Sequence, residues 1–404
     1  MLARGWRAIL SMKNSLRLLA ILLASVLVAA YAVEAYLVLD EHDQVGRLER
    51  AAARSGVEPD LRSVGEVVDD LQSRGAEAEP FFRLISRARK LMPLGNTPGR
   101  TIVFCNELGR YMVFRTDRHG FNNPDDVWDL PSIELALIGD SFVQGACEPD
   151  GRSFANLLRA DVPSLLNLGV GGNEPQLDLA TLREYAVPMH ARVVLWFHYT
   201  GNDLTEMMTH RHHALLDRYV TSGFSQDLLH RADESERAMA DFYAGHTDEV
   251  REKASPDALR PAFDWTRLLR LATLRGRLGL TFGGEEIDFS RFTRVVEAAR
   301  DTAKRGGVRL AFVIVPTEHE VEEDGEGPVF RETERILRSS GRPVFDLRAP
   351  FRKAGVEEVY AFGADGGHLS TKGNEFVAEY VRTEILPRLG VVQSSSDEGS
   401  VVDE

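Results

Sequence analysis

Two cysteines in 404 residues are too few for a disulfide-dense scaffold or a cysteine-rich zinc module. Positive charge is short as well: 48 Lys and Arg stand against 62 Asp and Glu, a formal net charge of −14. That balance offers no basic footprint, which excludes nucleic acid as a partner. Internal repeats are absent too. What is present is ordinary globular material, 43% hydrophobic and 27% charged, able to bury a sizeable core. The length suits two average domains or one large α/β domain with insertions.

Acidic residues are missing altogether before Glu34, whereas Arg4, Arg7, Lys13 and Arg17 precede an apolar run over 18–33. The apolar character resumes after Glu34 and continues through Leu39, so about 20 residues are available to span a bilayer. Residues 1–39 therefore read as a basic end followed by a transmembrane anchor. The basic flank predicts a cytoplasmic N-terminus in a single-pass protein, with everything after residue 40 extracytoplasmic, in a periplasm-like space. The rival reading is a cleaved signal peptide with Ala30-Tyr31-Ala32 as its small-residue site. An anchor is favoured because the apolar character continues past that site. In either case the working part is exported. Export gives Cys105 and Cys147 two options, a disulfide or two buried thiols. A bridge would tether the chain just after residue 141 to the hairpin that precedes it.

Helical periodicity over 40–98 suggests a stalk or arm carrying little chemistry. The Gly95-Asn-Thr-Pro-Gly99 cluster marks the start of the main domain, expected to run over 99–390. Residues 101–105 and 110–115, separated by Asn106-Glu-Leu-Gly109, read as a β-hairpin. The aliphatic run 133–138 reads as a buried strand, and strand and helix then alternate. Helices are expected over 153–160 and 175–185, and strands over 164–168 and 192–198. Residues 204–288 break the rhythm as a charged helical insertion, with helices near 215–219, 225–243 and 264–278. Alternation resumes with a helix over 289–305, a strand over 308–315, a helix over 328–339, a strand over 343–347 and a last helix over 372–389. This pattern predicts an α/β fold, a parallel sheet wrapped by helices on both faces. Residues 391–404 are Ser-rich and acidic, a composition typical of a disordered tail.

Four separated segments carry chemistry. Gly139-Asp140-Ser141 follows a buried strand, so its hydroxyl rises into the crevice where open α/β sheets bind ligands. Gly172 and Asn202 also stand just past strand ends, in Gly169-Val-Gly-Gly-Asn173 and Thr200-Gly-Asn-Asp203. Asp365 and His368, in Asp365-Gly-Gly-His368, precede the final helix, which can fold back over the same edge. A hydroxyl, an imidazole with a nearby carboxylate, and amide donors are the parts acyl transfer needs.

These blocks, in this order over roughly 130–388, resemble the SGNH (GDSL-type) hydrolase superfamily. Thr200 departs from the family's usual Gly, and Phe142 from its frequent Leu. The resemblance implies a three-layer αβα sandwich with a central parallel, flavodoxin-like sheet. It further implies Ser141 as nucleophile, His368 as base and Asp365 as the carboxylate that orients it. The oxyanion would be held by the Ser141 N–H, the Gly172 N–H and the Asn202 amide. No metal and no organic cofactor are implied. The expected activity is that of a serine esterase or O-acyltransferase on acyl, foremost O-acetyl, esters of envelope or secreted carbohydrate. Polysaccharide-biosynthesis proteins would be its partners. A lipolytic esterase and a non-catalytic polysaccharide- or partner-binding module are the alternatives.

Other residues carry plainer readings. Asp140 and Asp203 are expected to bond their own turns. His210, His212 and His213 read as a solvated or substrate-facing cluster, and His119 and Asn122 as parts of a turn. His198, Trp128 and Trp196 read as core.

Overall fold

The structure, a computed structural model, describes residues 2–85, 90–149, 151–246, 250, 265–277, 287–322 and 327–391. The expected tail lies outside the described residues beyond Val391. The chain divides into two compact units, residues 1–46 with 257–286, and residues 47–256 with 287–404.

In the smaller unit the helix Leu2–His42 contains a stretch, Arg17–Leu39, long and apolar enough to cross a membrane. The helix expected over 264–278 is instead two short helices, Trp265–Leu269 and Ala272–Arg277. Leu271 breaks them apart at φ +50°, in the left-handed region. Positions 264 and 278 lie outside the described residues.

The larger unit is built on a five-stranded parallel sheet. Strands β1 to β3 form a separate small sheet: β1 (Ala78–Pro80) runs parallel to β2 (Thr101–Val103), and β2 pairs antiparallel with β3 (Val113–Arg115). The main sheet comprises β4 (Leu135–Ile138), β5 (Leu165–Asn167), β6 (Val193–Tyr199), β7 (Arg309–Val315) and β8 (Val344–Asp346), in the order β5-β4-β6-β7-β8. That is the flavodoxin-like order, whose switch point falls where the chain turns from β4 outward in both directions. Leu135 pairs with both Leu165 and Val193, so β4, β5 and β6 start in register, and β6 runs three residues past the partner of Ile138.

Period-two alternation along these strands fills two cores. Ala136, Ile138, Val194, Trp196, Phe312 and Ile314 face one helical layer, which includes Phe289–Gly306 and Pro328–Ser339. Leu135, Leu137, Leu195, Phe197, Val313 and Val315 face the other, which includes Phe154–Leu158 and Thr371–Tyr380. Both faces being buried explains why the strands read as unbroken apolar runs. Trp128 and Trp196 are buried, as is His198, stacked on Phe292 at 5.1 Å. The expected three-layer sandwich is observed.

Two expectations are corrected here. The hairpin strands are shorter than the apolar pattern suggested, leaving 104–112 as a broad loop. Residues 47–98 are not a free stalk, since β1 adds to β2 and the helix Gln44–Ser55 meets that loop. A Cβ on Gly109 would fall 2.6 Å from the Ala52 Cβ. Asn106 and Tyr111 donate to the carbonyls of Asp60 and Arg62, both at 2.7 Å. Helices do form over Gln44–Ser55 and Val64–Ser73, but their apolar faces pack on the small sheet and its loop rather than forming a separate arm.

Candidate active site

Ser141 opens a short helix directly after β4. Gly139 is required before it: at φ +152°, a Cβ would meet the Val143 Cγ2 at 2.7 Å and the Phe197 carbonyl at 2.9 Å. Asp140 caps the turn, accepting from the Phe142 N–H at 3.0 Å. Burial pushes its carboxyl up to about 6, against the pull of that hydrogen bond and of the His368 ring. Asp140 thus bonds its own turn, as its position suggested.

The Ser141 hydroxyl has two acceptors within reach, the His368 Nε2 at 2.9 Å and the Asp140 Oδ2 at 3.4 Å. The shorter contact governs, so the hydroxyl donates to the imidazole. Two remote segments, separated by 227 positions, therefore meet at hydrogen-bond distance.

The carboxylate on the far side of that ring is not Asp365. Glu107 Oε1 lies 2.8 Å from His368 Nδ1, and Glu107 Oε2 accepts the His368 backbone N–H at 2.7 Å. Asp365 ends a short turn, Gly363–Asp365, and its side chain is exposed. Gly366 and Gly367 follow at φ +82° and +89°, a left-handed pair that turns His368 inward while Asp365 faces out. A Cβ on Gly367 would lie 2.9 Å from Glu107 Oε2, so glycine there makes room for the carboxylate. Burial alone would raise Glu107, but the His368 charge and both hydrogen bonds outweigh it and hold the carboxyl below its usual range. Burial would likewise depress His368, yet Glu107 raises it above the ordinary imidazole value.

A disulfide joins Cys105 to Cys147, the bridged alternative of the two considered. It fastens the loop that bears Glu107 to the segment six positions past Ser141, and Cys147 Sγ sits 3.4 Å from His368 Nδ1. This is also how Glu107 could have been found. A carboxylate two residues beyond a cysteine tethered beside the site lies within reach of it, although Asn106-Glu-Leu-Gly109 alone reads as a plain turn.

Gly172 follows β5 at φ +72°. Its loop is fixed to the Ser141 turn, with the Val170 N–H and the Asn173 amide donating to the Gly139 carbonyl at 3.2 and 3.1 Å. The Gly171 N–H donates to Gln144 Oε1 at 2.7 Å. Asn202 follows β6, and its amide donates to Glu206 Oε1 at 2.9 Å. Glu206 is pushed up to about 7 by burial and by Asp140, with Arg83 and Asn202 pulling the other way. Asp203 accepts from the Tyr199 N–H at 2.9 Å and so closes the turn that presents Asn202. Tyr199 packs on Phe142 with ring centroids 4.4 Å apart, tying this turn to the Ser141 segment.

The remaining residues fall near the site or away from it. Asn122 donates to the Gln144 carbonyl at 3.1 Å, bracing the segment after Ser141. His119 is buried against Trp128 and Tyr185, and burial lowers it to about 4. His210 Nδ1 stands 4.0 Å from the buried Glu174 carboxylate.

Part of this chain is similar to solved esterase structures. An acetyl xylan esterase, AlAXEase, superposes with a TM-score of 0.37 at 14% identity, over 63% of this chain and 100% of that one. An acetylxylan esterase from Geobacillus stearothermophilus gives 0.34 at 13% identity, over 64% and 94%. A two-domain esterase active on acetylated mannans gives 0.35 at 12% identity, over 66% and 51%. No family model matches the chain, and no curated protein matches it. At such identities and TM-scores these similarities bear on neither substrate nor chemistry.

Proposed function

We propose that this protein is a serine-dependent esterase or O-acyltransferase that works through an acyl-enzyme, with Glu107 as the acidic member of its triad. The observation that carries this reading is the hydroxyl–imidazole–carboxylate relay, with Ser141 Oγ 2.9 Å from His368 Nε2 and Glu107 2.8 Å from His368 Nδ1. His368 takes the Ser141 proton as the oxygen attacks the ester carbon. The Ser141 N–H, the Gly172 N–H and the Asn202 amide are assigned to the oxyanion. Glu107 keeps the proton on Nδ1, leaves Nε2 as the acceptor, and offsets the imidazolium that forms. His368 then protonates the departing alcohol. Water or a second hydroxyl takes the acyl group by the reverse path, and that choice separates hydrolase from transferase.

The resemblance of the four blocks to SGNH (GDSL-type) hydrolases suggests acetyl esters of carbohydrate as the first substrates to try, and the apolar helix suggests a membrane-anchored, extracytoplasmic setting. The non-catalytic alternative is weakened by the aligned relay, which a binding scaffold has no need to keep. Purified protein labelled with a fluorophosphonate tests the point. Wild type should label and release acetate from acetylated oligosaccharide, and Ser141→Ala should do neither. Absence of labelling together with no cleavage of any acetyl ester refutes the enzyme reading. Preference for long-chain esters over acetyl esters would favour the lipolytic alternative.

A further inference from the structure

Residues 265–277 hold four arginines, Arg267, Arg270, Arg275 and Arg277, and no acid, in a chain whose net charge is −14. The same stretch exposes large apolar side chains, Trp265 at 66% and Leu269 at 68%. Spaced i and i+4, these two share one side of their helix, and Arg267 and Arg270 are exposed alongside them. Interfacial helices of membrane-surface proteins combine these features: tryptophan and leucine on one side, arginine on the other.

The stretch is also docked on the long apolar helix of its own unit. The Tyr31 hydroxyl donates to the Leu269 carbonyl at 3.1 Å. One turn further on, the buried Glu34 carboxylate accepts the N–H groups of Thr273 and Leu274 at 3.0 and 2.6 Å. A carboxylate inside an apolar span is costly unless it finds donors, and here two backbone amides supply them. Glu34 precedes the end of the span, Leu39, by five residues, which is about 7.5 Å at 1.5 Å per residue. An interfacial helix seats its apolar side about 5–10 Å into the headgroup and acyl boundary. The contact with Glu34 falls at that depth, and the contact with Tyr31, eight residues before Leu39 and about 12 Å in, lies just below it, where arginine side chains reach back to the headgroups.

The geometry points to residues 265–277 as a second membrane contact: a basic, tryptophan-bearing helical pair that lies in the outer leaflet against the anchor and binds anionic phospholipid headgroups. This rests on the reading of Arg17–Leu39 as an anchor, and goes beyond it in giving the chain a lipid-binding surface separate from the span. It also accounts for a strongly basic segment inserted in an acidic protein, and for an acidic residue within the apolar run.

The test places single spin labels in the full chain in nanodiscs containing an anionic phosphatidylglycerol. Cys105 and Cys147 are bridged to each other, so one added cysteine is the only free thiol. Labels go at Leu269→Cys, at Leu23→Cys within the span, and at Leu130→Cys as an exposed control in the larger unit. The ratio of collisions with oxygen to collisions with a water-soluble nickel chelate should shift at 269 away from the value at 130 and toward the value at 23, as for lipid contact. It should fall toward the control in R267E/R270E and in nanodiscs of phosphatidylcholine alone. A label at 23 in lipid with a label at 269 in water overturns the proposal and leaves the anchor standing. Both labels in water overturn the anchor and the proposal together. A label at 269 shielded from both reagents and dipolar-broadened shows that a second copy of the chain covers this face, and overturns the lipid assignment.

Discussion

Replacing Glu107 with Gln removes one charge and one oxygen from the relay, and the second loss is the sharper. Glu107 uses both oxygens on His368, one for the backbone N–H at 2.7 Å and one for Nδ1 at 2.8 Å. A Gln has one acceptor for those two donors. If its oxygen keeps the backbone N–H, its amide nitrogen faces Nδ1 and forces the proton onto Nε2, where it opposes Ser141 instead of accepting from it. Loss of the acid's charge with geometry retained costs on the order of 10⁴ in kcat in Ser-His-Asp enzymes. Both partners here are partly exposed, at 23% and 18%, so water offsets part of the lost charge and about 10³–10⁴ is expected.

The pH profile supplies a second reading of the same change. Glu107 is the chief group holding His368 above its ordinary value, while burial works against it. Glu107→Gln therefore lets the imidazole fall, and the acid limb of kcat/KM moves to lower pH. Stability follows the same linkage. A raised His368 contributes fully below its ordinary value of 6.5 and loses that contribution as pH rises through its folded value. A depressed Glu107 contributes above its ordinary value of 4.5 and loses it as pH falls through its folded value. Wild type should thus exceed E107Q in Tm most clearly between 4.5 and 6.5. The assay is hydrolysis of an aryl acetate against pH, with thermal unfolding as the fold control and Asp365→Asn in parallel. The exposed Asp365 variant should stay within about threefold of wild type. E107Q within tenfold of wild type with an unshifted acid limb, or D365N falling as far as E107Q, refutes the assignment.

Gly367→Ala places a methyl group 2.9 Å from Glu107 Oε2 at φ +89°. Steady-state kinetics should show kcat reduced on the order of 10–100-fold as the carboxylate is displaced, with KM nearly unchanged. Replacing Cys105 and Cys147 together with Ser opens a link across 42 positions, a loss of about 4 kcal/mol by chain entropy that a denaturant titration reads directly. The same variant should lose activity at 25 °C, where it remains folded, because Glu107 is no longer tethered; an unchanged rate would show that Asp60, Arg62 and Ala52 suffice to hold the loop. Asn202→Ala should cost on the order of 10²–10³ in kcat in single-turnover assays if its amide serves the oxyanion. A loss confined to KM would assign it to binding instead.

Much of the larger unit could be read from residue order. The runs at 133–138, 192–198 and 308–315 are apolar on both faces because both faces are covered, so strand and parallel partner are encoded together. Ser141 and His368 stood out by the resemblance of their blocks, Gly139-Asp140-Ser141 and Asp365-Gly-Gly-His368, to the SGNH (GDSL-type) pattern, and Gly139, Gly366 and Gly367 in those blocks do adopt positive φ. Harder to see was what small elements do for one another. β1 has three residues and no periodicity, and it becomes a strand only because β2 lies beside it. The helix Gln44–Ser55 has a clear apolar face, but the pattern cannot say that its neighbour is the Gly109 loop.

The choice between Asp365 and Glu107 shows where local reading stops. Both are acids near a turn, and Asp365 has the advantage of lying three residues from the imidazole. What reverses that advantage is conformation: two consecutive glycines at positive φ turn the chain between Asp365 and His368, so nearness along the chain becomes separation in orientation. Glu107 has the opposite history. It lies 261 positions from His368, on a loop of a different sheet, and reaches the ring because the Cys105–Cys147 bridge, Asn106, Tyr111 and Ala52 fix that loop. Each of those supports is weak evidence alone, and only their convergence moves the carboxylate into place. The glycine at 367 is then accounted for twice, by its own φ and by the space Glu107 occupies. A single residue answering to two independent constraints is the mark of a positioned side chain rather than a chance contact.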